Sequence, residues 1–487
     1  MTPNDPRKAQ KSLAALLAPD ILDLLESEPS TVAAETEDLH PADLADVAES
    51  LPHSQIPLFL SALPAPRAAA VLEYFSEELR TELLEAMSPE QAAALVDAMT
   101  PDDRADTLEE LDEAHAGEIV DALPSETRRN TQQLMAYEPD SAGGLMTTEV
   151  VSVPDSYTVE EALRRVREIA RSGRREAMNA VYAIDVDGTL KGVMSLRELL
   201  AAPDGARVTD VAWPEVRHAL VTADREEVAR LIAEYDLVAI PIVDDRHRVL
   251  GVVTVDDVID VIQEEQTEDV QKLGGMEALD QPYMQMSVGA MIQKRAGWLA
   301  VLIVLQMFTA SAMERFDAEL MQLPILMLFI PLVMSGGGNS GSQATSLITR
   351  AMALKEVHLG DWWRVAIREL PTGLVLGVIL GAIAAARVFL SQHAFDQGWD
   401  LFGYTLGYNF ERDNGPSWQL VAGNVFASLT AIVMFGSMAG SMLPFVLRRL
   451  GFDPASASAP FVATLVDVTG LIIYFSVALL ILGKFMG

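Results

Sequence analysis

The sequence predicts a multidomain protein in which an α-helical repeat (solenoid) domain, a tandem βαββα pair and a linking helix precede a transmembrane domain of five α-helices. Three observations predict this architecture. Apolar residues recur every 12 positions over residues 39–136, a strand–helix–strand pattern returns at an offset of about 59 residues, and five long apolar segments follow residue 295. A chain of 487 residues is also too long for one ordinary domain.

The charge is unevenly distributed. From residue 281 onward there are 12 basic and 12 acidic side chains, so the formal net charge of −35 lies entirely in the first 280 residues. Such an acidic part attracts cations and repels nucleic acid, which we exclude as a partner. Because the first residues lack the apolar run of a signal peptide, we expect the acidic part to lie in the cytoplasm.

Signatures of catalysis are missing from the sequence. It has no cysteine, which excludes thiol catalysis and zinc–thiolate sites. It also lacks the motifs GxxxxGK[ST], HExxH and GxSxG. We therefore expect a protein that is not an enzyme.

The repeat over residues 39–136 predicts a series of short helices. In each unit an apolar residue precedes a residue that favours a helix start or a turn. The pairs are Leu39-His40, Leu51-Pro52, Leu63-Pro64, Phe75-Ser76, Met87-Ser88, Met99-Thr100, Leu111-Asp112 and Leu123-Pro124. Helices this short cannot bury an apolar face alone, so we expect them to stack as a solenoid. Whether that solenoid is a plain scaffold or a regulatory domain stays open.

Residues 146–262 change to a strand–helix–strand pattern. The predicted elements are strands at 150–153, 180–185 and 192–195 and a helix at 159–170. At the 59-residue offset Asp185 falls on Asp244, which indicates two copies of one unit. The polar stretch over residues 262–293 then predicts a long linking helix with a weak point at Gly274-Gly275.

Five apolar segments are each long enough to cross about 30 Å of hydrocarbon as a helix. They are 296–313, 321–349, 366–391, 418–447 and 459–483. The basic loops, with Lys294, Arg350 and Arg448, all fall on one side, which predicts an inside N-terminus and an outside C-terminus. An odd number of spans argues against a complete inverted repeat, so a pore could form between two copies.

The second apolar segment contains an unusual stretch, Ser335–Gln343, with four glycines and Asn339. We expect the glycines to loosen the helix, which is tolerated at membrane depth only beside protein or a water-filled cavity. Exposed carbonyls and the Asn339 amide would then offer oxygen ligands to an ion or its waters. Close packing of another helix against the glycines is the alternative, but the added polar side chains favour a pore-lining role.

Asp467 is the only ionisable residue well inside the fifth segment. A carboxylate in a membrane helix is costly and usually lines an ion path or a proton relay. Two copies would place two carboxylates on one path, which suits a hydrated divalent ion such as Mg²⁺. A protonated side chain bonded to neighbouring backbone, or a proton-coupling site, are the alternatives.

An acidic run follows the second βαββα unit. Asp257, Asp260, Glu264 and Glu268 recur on one face of a predicted helix. Like charges placed in this way favour solvent or bound cations, and the spacing alone favours a solvated face.

The order of parts resembles the MgtE family of bacterial Mg²⁺ channels. The resemblance rests on three segments, Tyr137-Glu-Pro-Asp-Ser-Ala-Gly-Gly-Leu-Met146, Gly337-Gly-Asn-Ser-Gly-Ser-Gln343 and Asp467-Val-Thr-Gly-Leu-Ile-Ile-Tyr474. The βαββα units resemble a CBS domain pair, whose usual ending matches Gly251–Asp257. Beyond residue 40 or so the resemblance covers nearly the whole chain.

The resemblance implies a homodimer in the lipid bilayer with one central pore for divalent cations. Asp467 matches the family's ion-selecting carboxylate and Asn339 its pore-lining asparagine. The family's cytoplasmic domains bind regulatory Mg²⁺ and close the pore, through a plug that corresponds to residues from about 261 to 293. The matching regulatory positions are Glu226, Asp236, Asp257, Asp260, Glu265, Glu268 and Asp269.

Some family members bind ATP in the CBS pair, which makes ATP a second implied ligand. Thr254 and Asp257 fit the Ser/Thr-x-x-Asp pattern that holds ribose. The first unit departs from this pattern, because Ser195 is followed by Glu198 where the pattern has Asp. Nucleotide binding therefore stays open.

These inferences divide the chain into six parts in a bacterial inner (plasma) membrane protein. The expected limits are 1–38 for an unassigned extension, 39–145 for the helical repeat, 146–205 and 206–262 for the CBS units, 263–293 for the linking helix and 294–487 for the pore domain. The leading function is a Mg²⁺-gated Mg²⁺ channel. The alternatives are a proton- or ion-coupled carrier of another divalent cation, such as Co²⁺ or Mn²⁺, and a membrane-anchored CBS sensor.

Overall fold

The computed structural model describes residues 6–171, 180–279, 281, 283, 284, 286–401, 404, 405, 409, 410 and 416–485. The chain forms two compact units, Met1–Gln263 and Glu264–Gly487.

The first unit begins with a series of short helices after a longer first one. They are α1 (Pro6–Ser27), α2 (Val32–Glu35), α3 (Pro41–Glu49), α4 (Ile56–Ala62), α5 (Ala65–Glu73), α6 (Glu77–Ala86), α7 (Pro89–Val96), α8 (Pro101–Glu109), α9 (Glu113–Ala122) and α10 (Ser125–Leu134). Alternate helices pack together, α3 on α5, α5 on α7 and α7 on α9. This stacking confirms the predicted helical repeat, and α1 of the unassigned extension adds Ile21 and Leu25 to the same buried core.

The landmarks of the 12-residue repeat lie at the helix starts. Ser76 is the N-cap of α6 and accepts a hydrogen bond from the backbone N–H of Leu79. Ser88 forms a capping box with Gln91 at α7, and the Asp112 carboxylate caps α9. Each cap satisfies backbone N–H groups that a helix leaves without partners, so short helices can begin at fixed intervals.

The rest of the first unit contains two small sheets with helices between the strands. The elements are β1 (Ser152–Pro154), α11 (Val159–Arg171), β2 (Val181–Ile184), β3 (Leu190–Met194), α12 (Leu196–Ala201), α13 (Val208–Val211), β4 (Ala219–Leu220), α14 (Arg225–Tyr235), β5 (Ala239–Val243), β6 (Val249–Thr254) and α15 (Val255–Leu273). In each sheet the first two strands are parallel and the last two antiparallel, in the orders β1-β2-β3 and β4-β5-β6.

The two sheets repeat each other in detail. The carboxylates of Asp185 and Asp244 each accept two backbone N–H groups of the following turn. Thr189 and Arg248, which correspond at the predicted offset, pair with each other as an antiparallel bridge. Because equivalent residues of the two sheets pair with one another, an approximate two-fold axis relates the two sheets, as the tandem arrangement predicts.

The linking helix is shorter than the sequence suggested. Helix α15 ends at Leu273, Gly275 adopts a positive φ of 76°, and the next helix begins only at Val288. The prediction of one helix over residues 263–293 is therefore wrong. The break lies at Gly274-Gly275, where the sequence indicated a weak point. A β-carbon on Gly275 would lie 2.8 Å from the indole nitrogen of Trp298, so the chain turns where no side chain fits. Residues 280, 282 and 285 of this segment lie outside the described residues.

The second unit contains long helices. They are α16 (Val288–Arg315), α17 (Asp317–Gln322), α18 (Ile330–Ala353), α19 (Trp362–Asp396), α20 (Trp418–Arg449) and α21 (Ala459–Leu482), with a hairpin of β7 (Asp400–Leu401) and β8 (Tyr404–Thr405). Within the described residues, four of these helices are long and apolar enough to span a membrane, namely α16, α19, α20 and α21. The spans of α19 and α21 also include the adjoining 3₁₀ turns. Helix α18 is long enough, but its glycine and polar residues lower its hydropathy.

The second predicted span, 321–349, is wrong at its start. Residues 317–329 form α17 and a 3₁₀ turn, and α18 begins at Ile330, where Pro331 occupies the first turn. The expected loosening at the glycines is also wrong, because α18 is a continuous α-helix to Ala353.

The glycines of α18 are contact points for two other helices. A β-carbon on Gly337 would lie 2.4 Å from Ile432 of α20 and 2.7 Å from Val466 of α21. Gly341 and Gly440 approach so closely that a β-carbon on Gly440 would lie 2.2 Å from the Gly341 carbonyl. Close packing against the glycines, the alternative considered above, is thus what the structure contains.

The glycines of α19 pack in the same way. β-Carbons on Gly377 and Gly381 would lie 2.6 Å and 2.8 Å from the carbonyls of Thr430 and Phe426 in α20. Glycines four residues apart in α19 therefore bring this helix close to α20. Helices α18, α20 and α21 form the centre of this unit, around buried Val433, Val466 and Tyr474.

Candidate functional site

Four polar residues of α18 lie on the face opposite the packed glycines. Ser335, Asn339, Gln343 and Ser346 are all exposed in the single chain. The Asn339 side-chain amide donates a hydrogen bond to the Ser335 hydroxyl at 3.3 Å. This polar face lines a groove of about 750 Å³, whose other wall is formed by apolar residues of α19 together with Arg387. Helix α18 thus presents these four polar groups on one face, while Ser340 and Thr345 are buried with the glycines and bond to α20.

Asp467 is half-buried in α21 between Val466 and Val468. The side-chain amide of Gln306, on α16, is the polar neighbour of its carboxylate. This neighbour is neutral, so it does not cancel a charge on the carboxylate. A carboxylate in an apolar helix without a cationic partner is suited to a passing cation.

No hydrogen bond joins Asn339 to Asp467 in the part of the chain that the structure describes. Asn339 donates to Ser335, and the polar neighbour of the Asp467 carboxylate is Gln306. Within those residues, no three carboxylate or imidazole side chains are grouped closely enough to hold a metal ion. A cation in this protein would therefore be held through its water shell or between separate elements.

A cluster of carboxylates lies between the helical repeat and the second sheet of the first unit. Asp103 and Asp106 of α8 interact electrostatically with Asp257 of α15, and Asp103 also with Asp260. The side chain of Asp103 accepts a hydrogen bond from the Thr100 hydroxyl at 2.5 Å. Two helices that are distant in sequence thus oppose each other with the same charge.

The pKa values of this acidic cluster are raised. Burial, followed by repulsion from Asp103, raises the pKa of Glu73 to about 8, and Arg80 only partly offsets this. The Asp106 carboxylate keeps part of its surface in solvent, but desolvation and then Asp103 raise its pKa to about 7. Burial raises the pKa of Asp257 to about 6, against hydrogen bonds from Thr254. Raised pKa values mean that negative charge here is costly, and a bound cation would relieve that cost.

The remaining regulatory positions lie elsewhere. Glu226 is in the first turn of α14, and Asp236 follows its last residue with a positive φ of 50°. Both side chains are exposed. They are at opposite ends of one helix, so they do not belong to a single mononuclear site in this chain.

Glu265, Glu268 and Asp269 of α15 lie in the second unit, with Asp453 nearby. Burial, and then repulsion from Asp453, raises the pKa of Asp269, whereas Lys272 lowers it. The seven predicted regulatory residues therefore fall into four separate places along the chain.

The proposed ribose-binding residues have a structural role of their own. The Thr254 hydroxyl donates a hydrogen bond of 2.7 Å to Asp257, which is three residues into α15. Ser195 and Glu198 make the equivalent capping box at α12. The Ser/Thr-x-x-acid pattern thus starts helices α12 and α15, whether or not a nucleotide binds.

Sequence reasoning missed several residues of these sites. Gln306 is a lone amide in an apolar helix, which is itself a signal in a membrane span. Asp103 and Asp106 recur at i and i+3 on α8, a spacing that places like charges on one face. Asp453 follows the basic pair that ends α20 and gave no signal beyond its charge.

Comparisons with known proteins cover nearly the whole chain. Residues 330–477 match the MgtE divalent cation transporter family, residues 39–140 the MgtE intracellular N domain, and residues 142–205 and 208–264 the CBS domain. The magnesium transporter MgtE of Thermus thermophilus is 38% identical over 94% of this chain and 97% of its own length. That of Enterococcus faecalis is 33% identical over 73% of this chain and 72% of its own length.

Among solved structures, the crystal structure of the cytosolic domain of the Mg²⁺ channel MgtE in complex with ATP is 37% identical. It covers 51% of this chain and 99% of that chain, with a TM-score of 0.48. The family assignment rests on the sequence matches, which extend through the helical repeat, the paired sheets and the membrane helices. This chain belongs to the MgtE family of divalent cation transporters.

Proposed function

We propose that two copies of this chain form a Mg²⁺-selective channel that closes when cytoplasmic Mg²⁺ is plentiful. The observation that carries the proposal is the carboxylate of Asp467, which lies in an apolar helix beside the neutral amide of Gln306. Its uncancelled negative charge would hold a hydrated cation on the path. The relatives named as magnesium transporters make Mg²⁺ the first ion to test.

The exposed polar face of α18 supports a homodimer. Ser335, Asn339 and Gln343 would be costly if they faced lipid, so protein or water must cover them. In a symmetric dimer the second copy would cover this face and add a second Asp467 to the path. The pore would then be lined by Asn339 and Asp467 of both copies.

The acidic cluster supports feedback by Mg²⁺. The fit is chemical, because Asp103, Asp106, Asp257 and Asp260 offer carboxylate oxygens, which are Mg²⁺ ligands. Burial, and then repulsion from neighbouring carboxylates, raises the pKa values of Asp106 and Asp260. Mg²⁺ held through water would draw α8 and α15 together. Loss of Mg²⁺ would let the like charges of α8 and α15 move apart. Because α15 continues as one helix to Leu273, this movement would be transmitted along it.

Further parts of the proposal rest on resemblance and charge pattern. Glu226, Asp236, Glu265, Glu268 and Asp269 would contribute to additional regulatory Mg²⁺ sites. Thr254 and Asp257 would hold the ribose of ATP. The N-terminus and the acidic domains would face the cytoplasm of a bacterium, and the C-terminus would lie outside the inner membrane. The six domain limits given in the sequence analysis are part of the same proposal.

The test is Mg²⁺ entry into vesicles that contain the full-length chain and a trapped Mg²⁺ indicator. We expect Asp467→Asn to reduce entry by more than about tenfold while the dimer still assembles. Asp317→Asn, which removes the same charge from the short helix α17, should leave entry unchanged. Wild-type entry by Asp467→Asn would contradict the proposal.

The same vesicles separate the two rival functions. A channel follows the Mg²⁺ gradient and the membrane voltage, whereas a coupled carrier needs a proton gradient. A membrane-anchored sensor gives no entry under any condition. Entry that stops when the proton gradient is collapsed at constant voltage would favour the carrier.

A further inference from the structure

Helix α16 has one main neighbour, helix α21. Among the described residues of α16, only Thr309 is buried. Near its start the Trp298 ring lies 6.2 Å from that of Phe461, and its indole N–H donates to the Ser458 hydroxyl at 3.1 Å. Near its end Phe316 stacks on Phe475, with ring centroids 4.7 Å apart. The two helices are therefore held side by side at both ends, and they run in the same direction.

Gln306 lies between these two aromatic contacts. It is about two turns from Trp298 and about three turns from Phe316. At this level its amide lies beside the Asp467 carboxylate. Because both ends of the helix pair are fixed, the amide is held opposite the carboxylate at one height in the membrane.

We propose that Gln306 is a positioning residue for the pore carboxylate, an inference that rests on the proposed function. In this arrangement its N–H would donate to one oxygen of Asp467 and leave the second oxygen for the hydrated ion. A neutral amide orients the carboxylate and leaves its charge in place, which a lysine or arginine would not do. Gln306 therefore sets how tightly Asp467 holds the water shell of Mg²⁺ and how well it discriminates against other divalent ions.

A purely structural role makes a different prediction. Polar side chains also join membrane helices by hydrogen bonds that stabilise their association. If Gln306 only joined α16 to α21, its loss would lower thermal stability and leave the ion dependence of transport unchanged. If it positions Asp467, its loss changes the half-saturating Mg²⁺ concentration and the preference among ions.

The test uses the full-length chain in vesicles, with entry measured against external Mg²⁺ and with Ca²⁺ or Mn²⁺ as competitor. Gln306→Met keeps the length and apolar volume of the side chain but cannot donate. We expect its half-saturating Mg²⁺ concentration to rise about fivefold, as for the loss of one hydrogen bond, with weaker discrimination against the competitor. Thr309→Val is the matched control, because its buried hydroxyl has no hydrogen-bond partner within the described residues, and it should behave as wild type.

A second variant keeps the proposal testable if Gln306→Met fails to fold. Gln306→Glu can donate to Asp467 only when one of the two carboxyl groups is protonated. We expect a new pH dependence of half-saturation, with values approaching wild type as the pH is lowered. The wild type should lack this dependence.

The outcomes separate the inference from the function on which it rests. Suppose that both Gln306 variants show wild-type half-saturation and ion preference, and that Asp467→Asn still abolishes entry. This result would overturn the positioning role and leave the proposed function standing. Full entry by Asp467→Asn would overturn the proposed function itself. If both hold, adding Gln306→Met to Asp467→Asn should cause no further loss, because the group that it positions is already gone.

Discussion

The ammonium group of Lys272 lies 2.7 Å from the Asp453 carboxylate and also pairs with Glu268. The other carboxylate oxygen of Asp453 accepts the backbone N–H of Ala455, so this side chain joins the end of α15 to the turn before α21. Burial alone would lower the pKa of Lys272, but the hydrogen bonds to Asp453 and Glu268 outweigh it and raise that pKa. A fixed positive charge therefore sits among carboxylates proposed to bind Mg²⁺.

The first prediction follows from that fixed charge. Lys272→Met leaves Glu268, Asp269 and Asp453 without their cation, so the chain should melt at a lower temperature in EDTA. Added Mg²⁺ should restore more stability than it adds to the wild type, because the ammonium no longer competes. Melting in detergent with and without Mg²⁺ measures this. Lys191→Met, which removes an exposed ion pair with Asp185, is the control and should change little. An equal response to Mg²⁺ in both variants would contradict the competition.

The second prediction concerns the acidic cluster of the first unit. Asp103→Asn together with Asp106→Asn removes two charges that repel Asp257 across the two helices. The double variant should melt at a higher temperature than wild type without Mg²⁺, and Mg²⁺ should add less. A control pair, Glu113→Gln with Glu118→Gln on α9, removes the same charge elsewhere in the repeat. If both pairs respond alike, general charge and not this cluster is responsible.

The third prediction is a pH dependence of stability. Glu73, Asp106 and Asp257 have folded pKa values of about 8, 7 and 6, against ordinary values of 4.5, 3.8 and 3.8. Between about pH 4 and pH 8 the folded chain binds more protons at these groups than the unfolded chain, so they favour folding less as the pH rises. Without Mg²⁺, the melting temperature should be higher at about pH 6 than at about pH 8.5.

Mg²⁺ is the internal control for that pH dependence. A cation among the carboxylates replaces the protons, so the difference between the two pH values should shrink when Mg²⁺ is present. The Asp103→Asn, Asp106→Asn variant should also show a smaller difference. A melting temperature that rises with pH over this window would contradict the direction of the cited shifts.

The fourth prediction tests the close helix packing. Gly377→Ala places a β-carbon 2.6 Å from the Thr430 carbonyl, where backbone must move, and should destabilise the membrane unit by about 1–3 kcal/mol. Gly423→Ala lies on α20, where a β-carbon meets no atom within 4 Å, and should be neutral or slightly stabilising. The two variants can be compared by melting in detergent, and equal stabilities would contradict the packing.

The sequence predicted those parts of the fold that depend on local chemistry. Ser76, Ser88 and Asp112 begin helices because each side chain caps backbone a few residues away, an interaction that is visible in the sequence. The matching turns at Asp185 and Asp244 were likewise visible as a repeat.

What the sequence could not provide were contacts between distant segments. Gly337 stays helical because Ile432 and Val466 pack against it, and no local rule identifies those partners. Asp103 is an ordinary residue for the first turn of a helix, where acidic side chains are favourable. Its repulsion of Asp257 exists only once α8 and α15 are brought together.

The same reason explains the incomplete prediction of the candidate ion path. Asp467 was identified because a carboxylate in an apolar segment is costly wherever it points. Gln306 was missed because the sequence does not show which group lies beside its amide. The sequence therefore identified the charged group but not the side chain that orients it.

The most direct test of the whole account is Mg²⁺ entry into vesicles loaded with either low or high internal Mg²⁺, with the full-length chain oriented so that its acidic domains face the interior. We expect fast entry at low internal Mg²⁺ and slow entry at high internal Mg²⁺ under the same driving force. Asp103→Asn with Asp106→Asn should weaken this dependence, and Asp467→Asn should abolish entry at both levels. Equal entry by the wild type at low and high internal Mg²⁺ would contradict a channel gated by its own ion.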